Sequence, residues 1–306
     1  MRIPSGSLRE VAERLDEKQV AGLIDHTELK PHVLRKKIRS LCDEAHVHGF
    51  ATVCVNSRWV REASQYLKSK SSRVGIASVV GFPLGQMSTD SKAFETSDAM
   101  ANGATEIDMV INVGAVREMV GASRDESQRM RELVRDDVAA VVKKADGAPV
   151  KVILETGYLI DEEIVEACRI CEEAGAAFVK TSTGFGPMGV YPAHLKLMRD
   201  TVGDRLGVKA AGGVTNFLEV IRCIYAAANS PNLLRPDKFR LGTSNGINIV
   251  NSLSWAKYDD SWFVEEVPCK ICPSNYVSKQ PLEVQTVYVR KCRTCPDNAY
   301  RKFKDF

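Results

Sequence analysis

The chain has 306 residues, of which 44% are hydrophobic and 26% are charged, which is ordinary composition for a globular protein. Its net charge of +3 is too small to require a nucleic-acid or membrane partner, and no apolar run is long enough to cross a bilayer. The first residues lack the apolar segment of a signal peptide, and nine cysteines is an odd number for a disulfide framework. We therefore expect a cytoplasmic protein that contacts neither membrane nor nucleic acid.

A short N-terminal helix is predicted first, because Ser7-Leu-Arg-Glu10 has the pattern of a capping box. After it, short apolar runs typical of strands alternate with amphipathic stretches typical of helices. The predicted strands are 21–26, 51–56, 74–80, 105–112, 150–155, 176–181, 207–211 and 239–243, and the predicted helices lie near 33–48, 58–70, 89–102, 124–145, 161–174, 192–202, 216–228 and 245–256.

Eight alternating units of this kind predict a parallel, closed (β/α)₈ barrel (a TIM barrel, fold class α/β) over residues 1–256. No glycine-rich dinucleotide fingerprint follows the first strand, which argues against an open doubly wound sheet. Residues 257–306 are predicted to form a separate small module, because four of the nine cysteines lie together after residue 268.

Charged residues fall at inward positions of the predicted barrel strands. Side chains alternate along a strand, and the apolar positions are assigned to the face that packs on the helices. This parity directs Glu106 and Asp108 of the fourth strand, Lys180 of the sixth and Lys209 of the seventh into the barrel. Any one of them could be a solvated lysine or a satisfied structural acid. Together they are more informative, because buried charges are costly unless they are paired or functional.

The chemistry that suits such a cluster is amine catalysis. A lysine attacks a carbonyl only as the neutral amine, and burial beside a second cation lowers its pKa. Lys180 and Lys209 lie on consecutive strands and satisfy that requirement, while Asp108 can transfer protons.

Glycine-containing turns follow the last three predicted strands. They are Thr181-Ser-Thr-Gly184-Phe-Gly186, Ala211-Gly212-Gly213-Val214-Thr215 and Gly242-Thr243-Ser244-Asn245-Gly246. Each alone could be plain turn geometry. Because phosphate sites in this fold often use the loops after strands 7 and 8, the set favours a phosphorylated substrate.

The ordered motifs resemble those of the deoxyribose-phosphate aldolase family over about residues 20–255. The matching segments are Leu23-Ile-Asp-His-Thr-Glu-Leu29, Ala51-Thr-Val-Cys-Val-Asn56, Gly81-Phe-Pro-Leu-Gly85, Gly103-Ala-Thr-Glu-Ile-Asp-Met-Val-Ile-Asn112, Lys151-Val-Ile-Leu-Glu-Thr-Gly157, Phe178-Val-Lys-Thr-Ser-Thr-Gly-Phe185, Val208-Lys-Ala-Ala-Gly-Gly-Val214 and Arg240-Leu-Gly-Thr-Ser244.

The resemblance implies reversible cleavage of 2-deoxy-D-ribose 5-phosphate to D-glyceraldehyde 3-phosphate and acetaldehyde, without a catalytic cofactor. It implies that Lys180 forms the Schiff base, that Lys209 lowers the pKa of Lys180 and assists proton transfer, and that Asp108 transfers protons. The implied substrate-binding residues are Asp25, Cys54, Thr181, Gly184, Gly212, Gly213, Gly242 and Ser244. We also expect a homo-oligomer, either a dimer or a tetramer.

The C-terminal region departs from this pattern, because it contains two C-x-x-C pairs separated by nineteen residues. Cys269, Cys272, Cys292 and Cys295 have the spacing of a tetrahedral thiolate site, so we predict a structural zinc ion. Reduced free cysteines or two small disulfide loops remain the alternatives.

Two other functions stay open from the sequence. The first is a catalytically weak or inactive barrel that serves as a scaffold, with the cysteine module binding protein or nucleic acid. The second is another Schiff-base aldolase that acts on a related phosphorylated sugar.

Overall fold

The computed structural model describes the backbone of residues 5–256 and the side chains of residues 10–253. Eight parallel strands form one closed barrel in the order β1 to β8, and β8 pairs with β1. The strands are β1 (Ile24–Glu28), β2 (Thr52–Asn56), β3 (Gly75–Val80), β4 (Glu106–Val110), β5 (Val150–Ile153), β6 (Phe178–Lys180), β7 (Gly207–Ala211) and β8 (Phe239–Thr243).

Helices surround the barrel, and two further helices precede the first strand. They are α1 (Ser5–Arg14), α2 (Glu17–Ala21), α3 (Arg35–His48), α4 (Ser57–Ser69), α5 (Thr89–Ala101), α6 (Val113–Glu118), α7 (Arg124–Lys144), α8 (Asp161–Glu173), α9 (Pro192–Val202), α10 (Phe217–Ala227) and α11 (Gly246–Ala256). The predicted (β/α)₈ barrel is therefore confirmed.

The hydrophobic core lies mainly between the strands and the surrounding helices, where residues such as Ile107, Val152 and Val208 are fully buried. A smaller apolar cluster around Cys54, Ala77 and Val79 is separate from this core. No helix within residues 5–256 combines the length and the apolar character that a bilayer crossing requires.

Several predicted element boundaries are wrong near the N-terminus. The first strand was expected at 21–26, but Ala21 ends α2 and the strand begins at Ile24. Helix α2 forms because the Asp16 side chain accepts a hydrogen bond from the Gln19 backbone N–H at 2.7 Å. The predicted capping box is also wrong, because Ser7 and Glu10 both lie inside α1.

The fourth and fifth strands end earlier than predicted. Strand β4 ends at Val110, because the Asn112 side chain caps α6 by accepting the Ala115 backbone N–H at 3.2 Å. Strand β5 ends at Ile153 rather than at residue 155, and a 3₁₀ turn follows at Thr156–Tyr158.

The predicted cysteine module at residues 257–306, with Cys269, Cys272, Cys292 and Cys295, lies outside the described residues. Its zinc ion and the domain boundary at residue 256 therefore stay predictions.

Candidate active site

Two lysines and one aspartate meet inside the barrel at the carboxyl end of β6. Lys180 is the last residue of β6, and it pairs in register with Lys209 of β7. The Nζ atoms of both lysines donate to the same oxygen, Oδ2 of Asp108, at 2.7 Å each. Lys209 and Asp108 are fully buried, and Lys180 is 3% exposed. The structure thus brings together the three residues for which a catalytic role was predicted.

A third lysine approaches Asp108 from the other side. The Lys151 amine donates to Asp108 Oδ1 at 2.9 Å and lies 2.5 Å from Glu106 Oε2. Lys151 is fully buried. Both oxygens of Asp108 are therefore held by ammonium groups.

Asp25 connects this group to the opposite wall of the barrel. Its Oδ2 accepts from Lys209 at 2.5 Å, and its Oδ1 accepts from the Thr52 hydroxyl at 2.9 Å and from the Arg240 guanidinium. Arg240 also donates to Glu106 Oε1 at 2.6 Å. We call Asp25, Glu106, Asp108, Lys151, Lys180, Lys209 and Arg240 the charge cluster.

The charge cluster contains one more cation than it contains anions. Three carboxylates face three lysines and one arginine within it. A buried excess charge is costly, because the low-dielectric interior solvates it poorly. Loss of one lysine proton would bring the cluster to neutrality.

Lys180 is the one lysine of the charge cluster whose pKa is lowered. Burial, opposed by Asp108 but assisted by the positive charge of Lys209, lowers the pKa of Lys180. Burial also acts on Lys209 and Lys151, but Asp108 and Asp25 outweigh it and raise the pKa of both. Lys180 therefore gives up its proton, and becomes a nucleophilic amine, more readily than Lys151 or Lys209.

The two buried aspartates remain ionised. Burial raises the pKa of Asp108, but Lys151, Lys180 and Lys209 outweigh it and hold that pKa well below its usual range. Arg240 and the two neighbouring lysines do the same for Asp25.

Sequence reasoning assigned no role to Lys151, Glu106 or Arg240. The alternation in β4 directed Glu106 inward, and the other two lie in strands that are otherwise apolar. A charged residue within such a strand was the available sequence signal for a buried ion pair. It does not reveal the partner, which depends on the register between strands.

The predicted phosphate-binding glycines lie at the same end of the barrel. Gly184, Gly212 and Gly213 have positive φ angles of 85°, 91° and 80°, so a side chain at any of them would be strained. Around Gly184 and Gly213, no atom would lie within 4 Å of an added Cβ, so these two turns border open space.

Gly242 lies inside β8, where an added Cβ would stand 3.1 Å from Cε of Lys209. The lack of a side chain there makes room for that lysine. Ser244 follows the strand and is exposed. Whether either residue contacts phosphate stays a prediction.

Cys54 and Thr181 are also close to the lysines but are closed off from solvent. Cys54 is fully buried in β2, and burial raises the pKa of its thiol. The Thr181 hydroxyl donates to Ala211 O at 2.9 Å and accepts from the Ala211 backbone N–H at 3.0 Å. That hydroxyl therefore joins β6 to β7.

No group of three or more histidine, cysteine, aspartate or glutamate side chains within residues 10–253 is arranged to hold a metal ion. The predicted zinc ligands lie beyond this range.

The fold and the buried lysine cluster together are typical of aldolases built on the (β/α)₈ barrel. The model of the DeoC/LacD family of aldolases matches residues 19–251, and the chain belongs to this family. The chain is 45% identical to a deoxyribose-phosphate aldolase of Thermococcus kodakarensis over 238 residues, which cover 77% of this chain and 97% of that protein. It is 46% identical to deoxyribose-phosphate aldolase 1 of Bacillus licheniformis, and that match covers 78% of this chain and 97% of that protein.

A solved structure shows the same fold. The tetrameric deoxyribose-phosphate aldolase of Aeropyrum pernix matches with a TM-score of 0.69 and 29% identity, and the match covers 81% of this chain and 97% of that one.

Proposed function

We propose that this protein is a deoxyribose-phosphate aldolase, a carbon–carbon lyase that reversibly cleaves 2-deoxy-D-ribose 5-phosphate to D-glyceraldehyde 3-phosphate and acetaldehyde. The observation that supports this most directly is the pair of buried amines that share Asp108 Oδ2 at 2.7 Å each. A lowered pKa of Lys180 beside the cationic Lys209 is what imine chemistry at neutral pH requires.

The reaction begins at the aldehyde carbon C1 of the open-chain sugar. The neutral Lys180 amine adds to C1, and loss of water gives a protonated imine. The C2–C3 bond then breaks, and its electron pair moves toward the imine to form an enamine. The C3 hydroxyl loses its proton and becomes the aldehyde of glyceraldehyde 3-phosphate. Protonation of the enamine at C2 and addition of water release acetaldehyde and restore the amine.

Asp108 and Lys209 are proposed to manage the protons. Ionised Asp108 accepts the C3 hydroxyl proton, directly or through a water molecule. Lys209 keeps its own proton, because its pKa is raised, and it stabilises negative charge near the reacting carbons. Its positive charge also disfavours protonation of Lys180.

The substrate phosphate is proposed to lie at the turns after β6, β7 and β8. Gly184 and Gly213 are exposed and Gly212 is half-buried, so a ligand can approach a backbone that carries no side chains there. Helix α11 begins directly after β8, so its positive end adds to the attraction for an anion.

The decisive experiment combines a retro-aldol assay with borohydride trapping. Wild-type protein incubated with deoxyribose 5-phosphate and borohydride should gain a stable adduct, which peptide mapping assigns to Lys180. Lys180→Arg keeps the positive charge but forms no imine, so both the adduct and the cleavage should be lost. Lys92→Met is the matched control, because Lys92 is an equally buried lysine that pairs with Asp137 on α7. A wild-type adduct at another lysine would contradict the proposal.

Substrate choice is tested by comparing the cleavage rates of several sugar phosphates. A higher kcat/KM for a different phosphorylated sugar would favour the related Schiff-base aldolase. Absence of any cleavage would favour the scaffold.

Two further proposals concern assembly and the C-terminal module. We propose a dimer or tetramer, to be tested by light scattering of the full chain. We also propose one structural zinc ion per chain at Cys269, Cys272, Cys292 and Cys295, to be tested by metal analysis of wild type and Cys292→Ser. Equal zinc content in both proteins would contradict this site.

A further inference from the structure

Glu155 has an unusual backbone conformation for its environment. Three non-glycine residues of the described chain have positive φ, namely Ser71, Asp146 and Glu155. Ser71 and Asp146 are exposed and follow helices, whereas Glu155 is only 3% exposed and follows β5 with φ 53° and ψ 58°. The left-handed conformation is unfavourable for a residue with a side chain, so surrounding contacts must stabilise it.

Those contacts join Glu155 to the loop after β6 (residues 181–191, here the β6 loop). Oε2 of Glu155 accepts the Thr183 backbone N–H at 3.1 Å and also the Thr183 hydroxyl. The same hydroxyl oxygen accepts the Phe185 backbone N–H at 3.0 Å. One carboxylate oxygen therefore binds the turn that begins directly after Lys180 through two hydrogen bonds.

The β6 loop in turn packs on the next glycine turn. The Val190 backbone N–H donates to Gly212 O at 2.8 Å. An added Cβ at Gly189 would lie 2.5 Å from that same oxygen, so the two backbones touch. The position of the β6 loop is thus coupled to the turn that contains Gly212 and Gly213.

One side of the β6 loop borders a cavity. Glu155, Thr183 and Phe185 line a space of about 310 Å³ whose other wall is the loop after β3 and the start of α6. Where the loop borders this space, the Phe185 ring packs edge-on against Phe82 with 5.4 Å between ring centroids, and the Glu155 carboxylate accepts two hydrogen bonds from Thr183. Gly186 lies against the carboxylate as well, because an added Cβ there would stand 2.7 Å from Glu155 Oε1.

We infer that Glu155 is a positioning residue that holds the β6 loop so that its backbone, together with the turn after β7, binds the substrate phosphate. This inference rests on the proposed aldolase function. Glu155 acts through Thr183 and does not touch the reacting carbons. Burial raises the pKa of Glu155, and the two hydrogen bonds from Thr183 and the positive charge of Lys180 oppose that shift.

The inference predicts a loss that depends on the phosphate. The test compares deoxyribose 5-phosphate with unphosphorylated 2-deoxyribose in wild type, Glu155→Gln and Glu155→Ala. Loss of hydrogen bonds to a charged acceptor should raise KM for the phosphorylated sugar about tenfold in Glu155→Ala. Its kcat, and kcat/KM for 2-deoxyribose, should change less than about twofold, because Lys180 and Lys209 keep their hydrogen bonds to Asp108. Glu155→Gln keeps one acceptor oxygen, so its KM for the phosphorylated sugar should lie between those of wild type and Glu155→Ala.

A second variant and a matched control complete the design. Thr183→Val removes the hydroxyl that Glu155 binds but keeps the backbone N–H bond, so it should cause a smaller selective rise in KM than Glu155→Ala. The double variant should be no worse than Glu155→Ala alone. Asp137→Asn is the control, because Asp137 is a buried acid that accepts from the Thr89 hydroxyl at 3.2 Å between α5 and α7. It should lower stability and leave the preference for the phosphorylated sugar unchanged.

The outcomes distinguish failure of the proposed function from failure of the role assigned to Glu155. If wild type cleaves neither sugar, the proposed function fails. If wild type cleaves both sugars and the Glu155 and Thr183 variants keep its preference for the phosphorylated one, the inference about Glu155 fails alone. An equal loss of kcat on both sugars would also overturn it, since Glu155 would then affect the chemistry.

Discussion

Lys209→Met tests whether the positive charge of Lys209 helps to lower the pKa of Lys180. Both amines bond to Asp108 Oδ2 at 2.7 Å, so their nitrogens lie roughly 4–5 Å apart. Two unit charges at that distance interact by about 3–4 kcal/mol at an effective dielectric constant near 20. Since 1.36 kcal/mol corresponds to one pKa unit, removing Lys209 should raise the pKa of Lys180 by about 2–3 units.

The sign of the effect on activity follows from the protonation state. The reactive form of Lys180 is the neutral amine, so activity rises with pH through the pKa of Lys180. At any assay pH below the pKa of Lys180, each unit of increase in that pKa lowers the neutral fraction about tenfold, so the rate of imine formation there should fall by up to about 1000-fold.

The assay must separate this effect from the role of Lys209 in proton transfer. Trapping of acetaldehyde on Lys180 with cyanoborohydride, followed from pH 5 to pH 10, reports amine nucleophilicity without carbon–carbon cleavage. The pH at which the trapping rate rises should be higher in Lys209→Met than in wild type. Lys151→Met is the control, because it also removes a fully buried lysine but one that bonds to the other oxygen, Oδ1, of Asp108. An unchanged pH dependence of trapping in Lys209→Met, or an equal shift of that dependence in Lys151→Met, would refute the reasoning.

Two further predictions concern stability. Asp108→Asn removes an anion from three buried ammonium groups and should lower the free energy of unfolding at pH 7 by about 3–5 kcal/mol. The pKa of Asp108 is depressed in the folded protein, so ionised Asp108 stabilises the fold fully above its unfolded pKa of about 3.9 and progressively less as the pH falls below that value. The difference in free energy of unfolding between wild type and Asp108→Asn should therefore shrink by about 1 kcal/mol per pH unit below pH 4. Urea unfolding at pH 7, 4 and 3 measures this, and a constant gap would count against it. Gly207→Ala should cost about 1–3 kcal/mol or more, because its Cβ would lie 2.1 Å from Cε1 of the buried Phe178 ring. Gly22→Ala is the control, because φ is −63° there and the nearest atom to an added Cβ, the Lys18 carbonyl oxygen, is 3.4 Å away. Thermal unfolding should show no such loss of stability for Gly22→Ala, and equal losses in both variants would contradict the steric argument.

The repeating pattern of the chain was enough to predict the barrel. Each strand that is buried on both faces is a short apolar run, and each surrounding helix has one apolar side, so both periods are visible in the residues themselves. The same alternation placed Asp108, Lys180 and Lys209 inside, because a single inward position on a strand determines all the others. The structure agrees on all three placements.

The ends of the elements were predicted less well, because they depend on single hydrogen bonds rather than on periodicity. Asn112 reads as one more inward strand residue, yet its side chain caps α6. Glu155 reads as the last residue of a strand, yet it turns into the left-handed region because Thr183, 28 positions further along the chain, supplies the hydrogen bonds that stabilise it there.

The sequence by itself determined that eight strands would close and that two lysines and an aspartate would face inward. Only the tertiary structure decided which charges meet, because Lys151, Glu106 and Arg240 acquire their partners through the register of strands that are far apart in the chain. The excess of one cation in the charge cluster arises from those long-range distances. So does the difference between Lys180, whose pKa burial lowers, and Lys209, whose pKa Asp108 and Asp25 raise against burial. Electrostatic energy depends on separation and burial in space, and neither is encoded in local spacing.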